Sequence, residues 1–385
     1  MIFYLTINEF YSGIYQGQVI DVVTFLNEKF NKNIRLLAFL PLTNFWKRRK
    51  EIKAKMPNAI VLPMLPKQSI GTRWEQSRFI LYIICRIYNC KAIIARNPLA
   101  TCLAIAAKEK GCVSKVCFDG RGAVAAEAEE YNIYPLEIKN RIRMIERAAI
   151  LNSDFQIAIT QNLLKYWRTE YSYNAITHTI IPGTLNRNFI NLEINFSVRE
   201  ESRKRMGYTE NDILLIYAGS TEGWQSFQLL YDFLKNIFAV NSSVKVLFLS
   251  QEEQNINKLS VEFPQKIRRL WLMPSEVKDS MLMGDYGLII RENSITNNVA
   301  MPTKFPEYLA CGLSVISNRG ASEVAKFIEN NDCGIVIDDK LNIFLEKSTL
   351  ISANQNRMLA LKCFNKKAPE IMTKYSFLLN ELTKN

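Results

Sequence analysis

Short apolar runs alternate with amphipathic segments along almost the whole chain. The runs are rich in β-branched and aromatic residues, which is typical of buried strands. In the first half they occupy residues 2–7, 34–40, 59–62, 92–95, 116–118, 155–159 and 177–181. In the second half they occupy residues 213–217, 244–249, 270–272, 286–290, 314–316 and 334–337. The segments between them have helical spacing, as in residues 17–30, so the alternation predicts parallel sheets covered by helices.

The chain divides into two such patterns. Pro182 and Gly183 interrupt regular structure between them, and 385 residues are too many for one ordinary hydrophobic core. We therefore predict an α/β fold of two Rossmann-like, doubly wound, parallel-sheet domains that face a cleft. The predicted domains are residues 1–185 and residues 186–365, and residues 366–385 are predicted to form a helix that returns to the first domain.

The composition favours a reduced protein of the cytoplasm. None of the eight cysteines forms a C-x-x-C pair, and His178, which we interpret as structural, is the single histidine, so no metal site is expected. The first residues, MIFYLTINEF, resemble a strand more than a signal peptide. The apolar stretch 79–95 contains Arg86 and Lys91, which argues against a membrane span.

Positive charge is concentrated in the first half of the chain. Residues 1–185 carry a net charge of +11 and residues 186–385 carry +1. This difference predicts that the first domain meets an anionic partner, either a membrane surface or a phosphorylated substrate. Residues 45–55 combine two aromatic residues with six bases, and as a helix they would suit an anionic membrane surface.

A solvated helix face or an RNA contact is also compatible with this basic segment. No RRM, KH or zinc-knuckle pattern accompanies it, so we predict no nucleic-acid partner.

The strongest candidate chemistry lies in the second half, after an apolar strand that ends at Arg291. Pro302 and Thr303 then open a predicted helix that carries Lys304 and Glu307. Free N–H groups at a helix start, together with Arg291 and Lys304, suit a diphosphate. A carboxylate one turn further along the helix can accept hydrogen bonds from ribose hydroxyls. We predict that Thr303 and Glu307 contact a nucleotide and that Arg291 and Lys304 act on its phosphates.

Residues 302–316, PTKFPEYLACGLSVI, resemble the signature of glycosyltransferase family 4 and its GT-B relatives. The resemblance implies the GT-B fold and a ribose-binding role for Glu307. The family pattern has an earlier glutamate, eight positions before this one, that contacts the donor sugar. This chain has Val299 there, and Glu292 or Asn298 is the candidate substitute.

The run IYAGSTEGWQ resembles the family's first loop in the second domain. Gly219 and Ser220 follow a strand, where backbone N–H groups can approach a phosphate closely. The two basic residues usual in this loop are missing, and Arg291 is a candidate replacement for one of them. A glycine required only by the turn is the alternative for Gly219, and a surface pair with Asp285 or Glu292 is the alternative for Arg291.

The first domain contains two weaker candidates. Gly13 lies in the segment after the first strand, where many GT-B enzymes carry a glycine-rich loop. Asp119 and Arg121 follow strand 116–118, and in this region family members often have a histidine near the reacting sugar. Asp119 is thus a candidate catalytic residue, and Arg121 a candidate ligand for an acceptor phosphate. A structural ion pair between them is equally compatible with the sequence.

The resemblance implies a glycosyltransferase that moves a sugar from a nucleoside-diphosphate sugar, such as a UDP- or GDP-sugar, to a glycan or lipid-linked acceptor. It implies surface-polysaccharide synthesis, as in capsule or O-antigen, by a retaining reaction that needs no metal or cofactor. The expected location is cytoplasmic or peripheral on the inner face of the cell membrane. The alternatives are an inactive nucleotide- or membrane-binding partner with this fold, and an epimerase or a phosphorylase.

Overall fold

The computed structural model describes residues 1–64, 74–221, 223–337 and 343–384. Glu222, within the loop IYAGSTEGWQ, lies outside the described residues. The chain forms two compact units, one of residues 1–186 with residues 366–385 and the other of residues 187–365.

A seven-stranded parallel sheet forms the centre of the first unit. Its strand order is β3-β2-β1-β4-β5-β6-β7. The strands are β1 Ile2–Ile7, β2 Ile34–Leu40, β3 Ile60–Pro63, β4 Ala92–Arg96, β5 Lys115–Asp119, β6 Phe155–Ala158 and β7 His178–Ile180. The helices that follow these strands are α1 Gly13–Tyr15, α2 Asp21–Phe30, α3 Phe45–Lys55, α4 Ser77–Ile87, α5 Pro98–Glu109, α6 Val124–Glu130, α7 Leu136–Asn152 and α8 Gln161–Tyr171.

A six-stranded parallel sheet forms the centre of the second unit, in the order β10-β9-β8-β11-β12-β13. Its strands are β8 Ile213–Ala218, β9 Val244–Leu249, β10 Ile267–Leu270, β11 Tyr286–Ile289, β12 Ser314–Asn318 and β13 Gly334–Ile337. Its helices are α9 Arg187–Ile190, α10 Phe196–Arg205, α11 Phe227–Val240, α12 Gln254–Glu262, α13 Val277–Met281, α14 Ile295–Val299, α15 Lys304–Ala310, α16 Ser322–Asn331 and α17 Leu350–Phe364. The predicted fold class, two parallel-sheet α/β domains, is confirmed.

The last helix, α18 Pro369–Thr383, packs on the sheet of the first unit. Alternate residues of β1 point to opposite faces of that sheet, as the strand period of two requires. Tyr4 packs with α2, α3 and α18 on one face, and Phe3 and Leu5 pack with α4 and α5 on the other. Helices α3 and α4 therefore lie on opposite faces of the sheet.

Both sheets reverse the direction of strand addition at their middle. In the second unit the chain passes from β8 outward to β10 and then returns to place β11 beside β8. Ligands of open α/β sheets bind at the carboxyl ends of the strands where this reversal occurs. The turns after β8 and β11 are therefore the expected binding position in the second unit.

Two sequence predictions differ from the observed elements. A strand was predicted at residues 270–272, but β10 spans Ile267–Leu270 and pairs with β9. Two arginines within this edge strand conceal its apolar pattern, and the neighbouring Trp271 is exposed. The helix predicted for residues 17–30 begins instead with a π-helical turn, Gln16–Ile20, that leads into α2.

Candidate functional site

The turn after β8 begins at a glycine whose conformation requires that residue type. Gly219 has a φ of +112°, which side-chain-bearing residues rarely adopt. Its N–H donates to the carbonyl oxygen of Leu249 at 3.0 Å, and the chain then reaches the 3-10 turn Gly223–Gln225 before α11. Gly219 and Ser220 are both exposed at the carboxyl end of the sheet. The predicted approach of this backbone to a ligand is thus sterically open.

Arg291 lies directly beyond β11, beside this turn, with only 2% of its surface exposed. The Arg291 N–H donates to Asn318 Oδ1 at 2.9 Å, and Asn318 Nδ2 donates to the Arg291 carbonyl oxygen at 2.7 Å. Neither surface pair considered for Arg291 occurs. Asp285 accepts instead from Arg199 and Arg203, and the exposed Glu292 forms no ion pair with any residue that the structure describes.

Two basic side chains donate to one oxygen atom at this point. Gln225 Oε1 accepts from Arg291 Nη2 and from Lys304 Nζ at 3.3 Å. The Tyr217 hydroxyl lies 3.3 Å from the same atom, but it donates to the Ser220 carbonyl oxygen at 2.6 Å. Arg291 Nη1 also donates to the Gln225 carbonyl oxygen at 3.0 Å. Lys304 Nζ lies 4.5 Å from the centroid of the Tyr217 ring. The structure therefore brings together the two predicted cations, Arg291 and Lys304.

Sequence reasoning missed Gln225 and Tyr217. The run that contains them was identified, but nothing in it distinguishes Gln225 from other glutamines of the chain. It also missed Glu253, which accepts from the N–H of Thr221 at 2.8 Å and from Ser250 Oγ at 3.1 Å. Glu253 thereby holds the turn that follows Gly219 and Ser220.

Lys304 and Glu307 have strongly shifted pKa values because both lie in a poorly solvated place. Burial lowers the pKa of Lys304 well below its usual value, and the charge of Arg291 lowers it further. Burial raises the pKa of Glu307 to about 8, although the charge of Lys304 opposes this shift. Among the described residues, none makes a hydrogen bond with the Glu307 carboxylate. This carboxylate is available to hydroxyl donors of a ligand.

The helix that carries these two residues, α15, has only seven residues. Thr303 occupies its N-cap position, but its side chain makes no capping hydrogen bond. The case for anion binding here rests on the side chains of Arg291 and Lys304 and not on the helix start.

A tyrosine links this helix to β8. The Tyr308 hydroxyl accepts from the N–H of Ala218 at 2.9 Å, and the Tyr308 ring lies over Gly287 of β11. A Cβ atom at position 287 would lie 2.2 Å from this ring, so only glycine allows the approach.

The positions considered for the donor sugar lie in the segment between β11 and α15. Val299, at the position of the earlier glutamate in the pattern that residues 302–316 resemble, is buried. Glu292 is exposed and its N–H donates to Ser226 Oγ at 2.9 Å. Asn298 donates through Nδ2 to Asn293 Oδ1 at 2.7 Å. Glu292 thus has the more accessible side chain of the two candidates.

In the first unit, Asp119 and Arg121 form an ion pair, which was the structural alternative to a catalytic role for Asp119. Arg121 Nη2 lies 2.9 Å from Asp119 Oδ2, and the Tyr4 hydroxyl donates to the same oxygen at 2.5 Å. The Asp119 side chain is fully buried. A catalytic role for Asp119 stays a prediction, but in this arrangement the carboxylate has no surface through which to touch a ligand. Its contacts instead fix Arg121, whose side chain is 17% exposed.

Arg96 and Glu9 lie beside this pair and were not identified from the sequence. Arg96 Nε donates to Glu9 Oε2 at 2.7 Å, and Arg96 Nη1 lies 3.9 Å from Asp119 Oδ2. Gly13 is the first residue of α1, and a Cβ atom added there would meet no other atom within 4 Å. The structure therefore shows no close approach at Gly13 that would require a glycine.

Two kinds of feature are absent from the described parts of the chain. In residues 1–64, 74–221, 223–337 and 343–384, no helix is long and apolar enough to span a membrane. The same residues contain no group of three or more His, Cys, Asp or Glu side chains placed to hold a metal ion. All eight cysteines are free thiols.

No protein-family model and no curated protein sequence matches this chain. Its fold, however, is similar to that of solved structures over nearly the full length of both chains. HepE from Anabaena in complex with UDP is 13% identical and aligns with a TM-score of 0.66 over 99% of each chain. A glycosyltransferase from Rickettsia africae is 13% identical, with a TM-score of 0.72 over 100% of this chain and 98% of that one.

A third similar structure is WaaG, a glycosyltransferase involved in lipopolysaccharide biosynthesis. It is 12% identical, with a TM-score of 0.60 over 100% of this chain and 96% of that one. Identities this low show a common fold and no more. The chain therefore has the GT-B fold of these glycosyltransferases, with one parallel-sheet α/β domain in each of its two units.

Proposed function

We propose that this protein is a glycosyltransferase whose second unit binds a nucleoside-diphosphate sugar. One observation carries the proposal. Arg291 and Lys304 donate to a single point at the carboxyl ends of β8 and β11, beside a Glu307 carboxylate that makes no hydrogen bond with any described residue. Cationic donors suit a diphosphate, and an unbonded carboxylate suits ribose hydroxyls. The complex of HepE with UDP on the same fold supports this reading.

The proposed donor is held by four kinds of contact. Arg291 and Lys304 bind the diphosphate, and the backbone of Gly219 and Ser220 approaches it across the open turn after β8. Glu307 accepts from the ribose, with Thr303 beside the same ligand. Glu292 or Asn298 contacts the sugar, because Val299 is apolar and buried.

The proposed reaction breaks the bond between the anomeric carbon and the β-phosphate oxygen. The acceptor hydroxyl oxygen forms the new bond to that carbon, its proton passes to the leaving diphosphate, and a nucleoside diphosphate is released. Negative charge develops on the leaving oxygen, where Arg291 and Lys304 stabilise it. We propose that these two cations replace a metal ion or cofactor and that the anomeric configuration is retained.

We propose a glycan or lipid-linked acceptor of surface-polysaccharide synthesis, reached at the cytoplasmic face of a membrane by the basic first unit. Helix α3 supports this proposal: Trp46 is 75% exposed, and Lys47 and Lys50 are also exposed. Such a surface suits anionic headgroups. On the opposite face of the sheet, α4 exposes an apolar row of Phe79, Ile83 and Ile87. A test of membrane binding by α3 should therefore include variants of this row.

The first experiment is a thermal-shift and titration panel with UDP, GDP, CMP, ADP and their common sugar conjugates. Wild type is compared with Glu307→Ala and with Glu201→Ala, an exposed glutamate of the same unit. A ligand at a hundred times its Kd adds about 2.7 kcal/mol of stability. We expect one nucleotide to stabilise wild type and Glu201→Ala but not Glu307→Ala.

The stabilising donor is then incubated with candidate acceptors and its products are analysed. Sugar transfer supports the proposal, whereas a nucleotide that binds without transfer or hydrolysis favours an inactive partner. Conversion without an acceptor would indicate an epimerase, and a requirement for free phosphate would indicate a phosphorylase. Absence of stabilisation by every nucleotide would contradict the site itself.

A further inference from the structure

Gln225 occupies the position that an anionic ligand would be expected to take. Its Oε1 atom accepts from Arg291 Nη2 and Lys304 Nζ, so one neutral oxygen serves two basic side chains. Hydrogen bonds between a cation and an anionic oxygen are about twice as strong as neutral ones.

The turn that carries Gln225 is fixed through its main chain. Arg291 Nη1 donates to the Gln225 carbonyl oxygen at 3.0 Å, and Ser226 Oγ accepts from the N–H of Glu292 at 2.9 Å. These contacts do not involve the carboxamide of Gln225. The side chain can therefore rotate away while the turn and Arg291 stay in place.

We propose that the Gln225 carboxamide is a stand-in for a ligand phosphate, and that a bound diphosphate displaces its oxygen from Arg291 and Lys304. This inference rests on the proposed function, because it takes that site as the diphosphate position. In the unliganded protein the glutamine offers these two basic side chains a neutral acceptor. A phosphate oxygen replaces it with full charge, and the difference between the two acceptors drives the exchange.

Every anionic ligand of the site must offset the free energy lost when the Gln225 oxygen leaves its two donors. A ligand with a single weakly charged oxygen gains little over the carboxamide. A diphosphate offers several charged oxygens and displaces it readily. Gln225 is thus a residue that selects diphosphates over weaker anions.

The test uses two substitutions of opposite effect in the full-length protein. Gln225→Ala removes the stand-in, so we expect inorganic pyrophosphate and UDP to bind about threefold or more tightly than to wild type. Gln225→Glu places a permanent carboxylate between the two cations. We expect it to raise the melting temperature without ligand and to weaken both ligands about tenfold or more. Gln265→Glu changes an exposed glutamine just before the amino end of β10, and it should alter neither property.

The order of pyrophosphate affinities, alanine above glutamine above glutamate, supports the proposal. Weaker binding by Gln225→Ala would overturn it, because the glutamine would then be a direct ligand contact. Unchanged binding by Gln225→Glu would also overturn it.

The proposed function can fail separately from this inference. If the pyrophosphate order holds but no nucleotide binds, the stand-in role stands and the transferase proposal fails. If UDP binds wild type and the two Gln225 variants equally well, the stand-in role fails and the transferase proposal stands. If neither ligand binds any variant, both fail.

Discussion

At the scale of single residues, the shifted pKa of Glu307 allows the proposed site to be tested by the pH dependence of donor binding. Burial raises this pKa to about 8, so the carboxyl group is largely protonated in the folded protein near neutral pH. Ribose hydroxyls that donate to the ionised form would lower the pKa, and binding would then release a proton. Donor affinity is therefore linked to pH through Glu307.

We predict that the affinity for the donor sugar nucleotide rises between pH 6 and pH 8 and levels off above the pKa of Glu307. Below that pKa, Kd should change by up to about tenfold per pH unit, because only the ionised carboxylate accepts from the ribose. Calorimetric titration at pH 6, 7 and 8 measures this change. Glu307→Gln should flatten the profile, and an equally steep profile in that variant would assign the titration to another group.

The raised pKa of Glu307 also predicts how the stability of the unliganded protein changes with pH. The folded pKa of Glu307 lies above its unfolded value, so its contribution to stability is present below the unfolded pKa and is lost as pH rises through about 8. Glu307→Gln should therefore gain stability relative to wild type as pH rises from 5 to 8. Urea unfolding at both pH values measures the difference, and a constant difference would contradict the assigned shift.

At the scale of elements, a buried carboxylate joins α10 to the start of β11. Asp285 accepts from Arg199 Nη2 at 2.5 Å, from Arg203, from the N–H of Leu214 at 2.8 Å and from Ser348. The arginines hold the pKa of Asp285 below its ordinary value despite burial. This network lies at the amino end of β11, away from Arg291, so it supports the sheet and not the ligand.

We predict that Asp285→Ala destabilises the protein by about 3 to 5 kcal/mol, because two buried arginines lose their partner. Chemical denaturation measures the loss. Asp232→Ala, an exposed aspartate of α11, serves as the control and should change stability by less than about 0.5 kcal/mol. The Asp285 contribution is present above the unfolded pKa of the carboxyl group and is lost as pH falls through its lowered folded pKa. A small loss from Asp285→Ala would mean that the arginines find other acceptors.

A second element-scale prediction concerns the contact between β11 and α15. Gly287→Ala should cost about 1 to 3 kcal/mol, because the new methyl group would overlap the Tyr308 ring. Since Tyr308 also accepts from Ala218 at the end of β8, we expect nucleotide binding to weaken as well. Gly122→Ala is the control, because its Cβ atom would meet no other atom within 4 Å. Full stability and full binding in Gly287→Ala would show that the ring moves without cost.

At the scale of the whole molecule, the charge difference between the two halves predicts salt-dependent attachment of the first unit to anionic membranes. Each base near such a surface contributes about 1 kcal/mol, so Lys47→Glu with Lys50→Glu should abolish sedimentation with vesicles that contain phosphatidylglycerol. Lys235→Glu with Lys258→Glu, two exposed lysines of the second unit, should leave it unchanged.

The apolar row of α4 supplies the competing outcome of that experiment. If Phe79→Ser with Ile83→Ser abolishes sedimentation while the α3 variant does not, the membrane-facing surface is α4. Equal binding by all variants would contradict a membrane role for both helices.

Local patterning was sufficient to determine most of the fold. Apolar runs predicted both sheets because a buried parallel strand must be apolar on both faces, and Pro182 with Gly183 marked the change between the two patterns. The edge strand β10 was placed wrongly because a half-exposed strand tolerates the arginines that interrupt its run. Arg291, Lys304 and Glu307 were found because their positions follow strand ends and a helix start, which the sequence displays.

Only the tertiary structure decided which side chains meet. Gln225 lies 66 positions from Arg291 and 79 from Lys304, and it reaches both because β8 and β11 are neighbours in the sheet. Burial also depends on the packed whole, and it separated the accessible Arg121 from the enclosed Asp119 and raised the pKa of Glu307. The spacing of apolar residues in the sequence indicates which residues of one helix or strand are buried. Strand order, packing and desolvation join residues distant in sequence, and these determined the chemistry of the site.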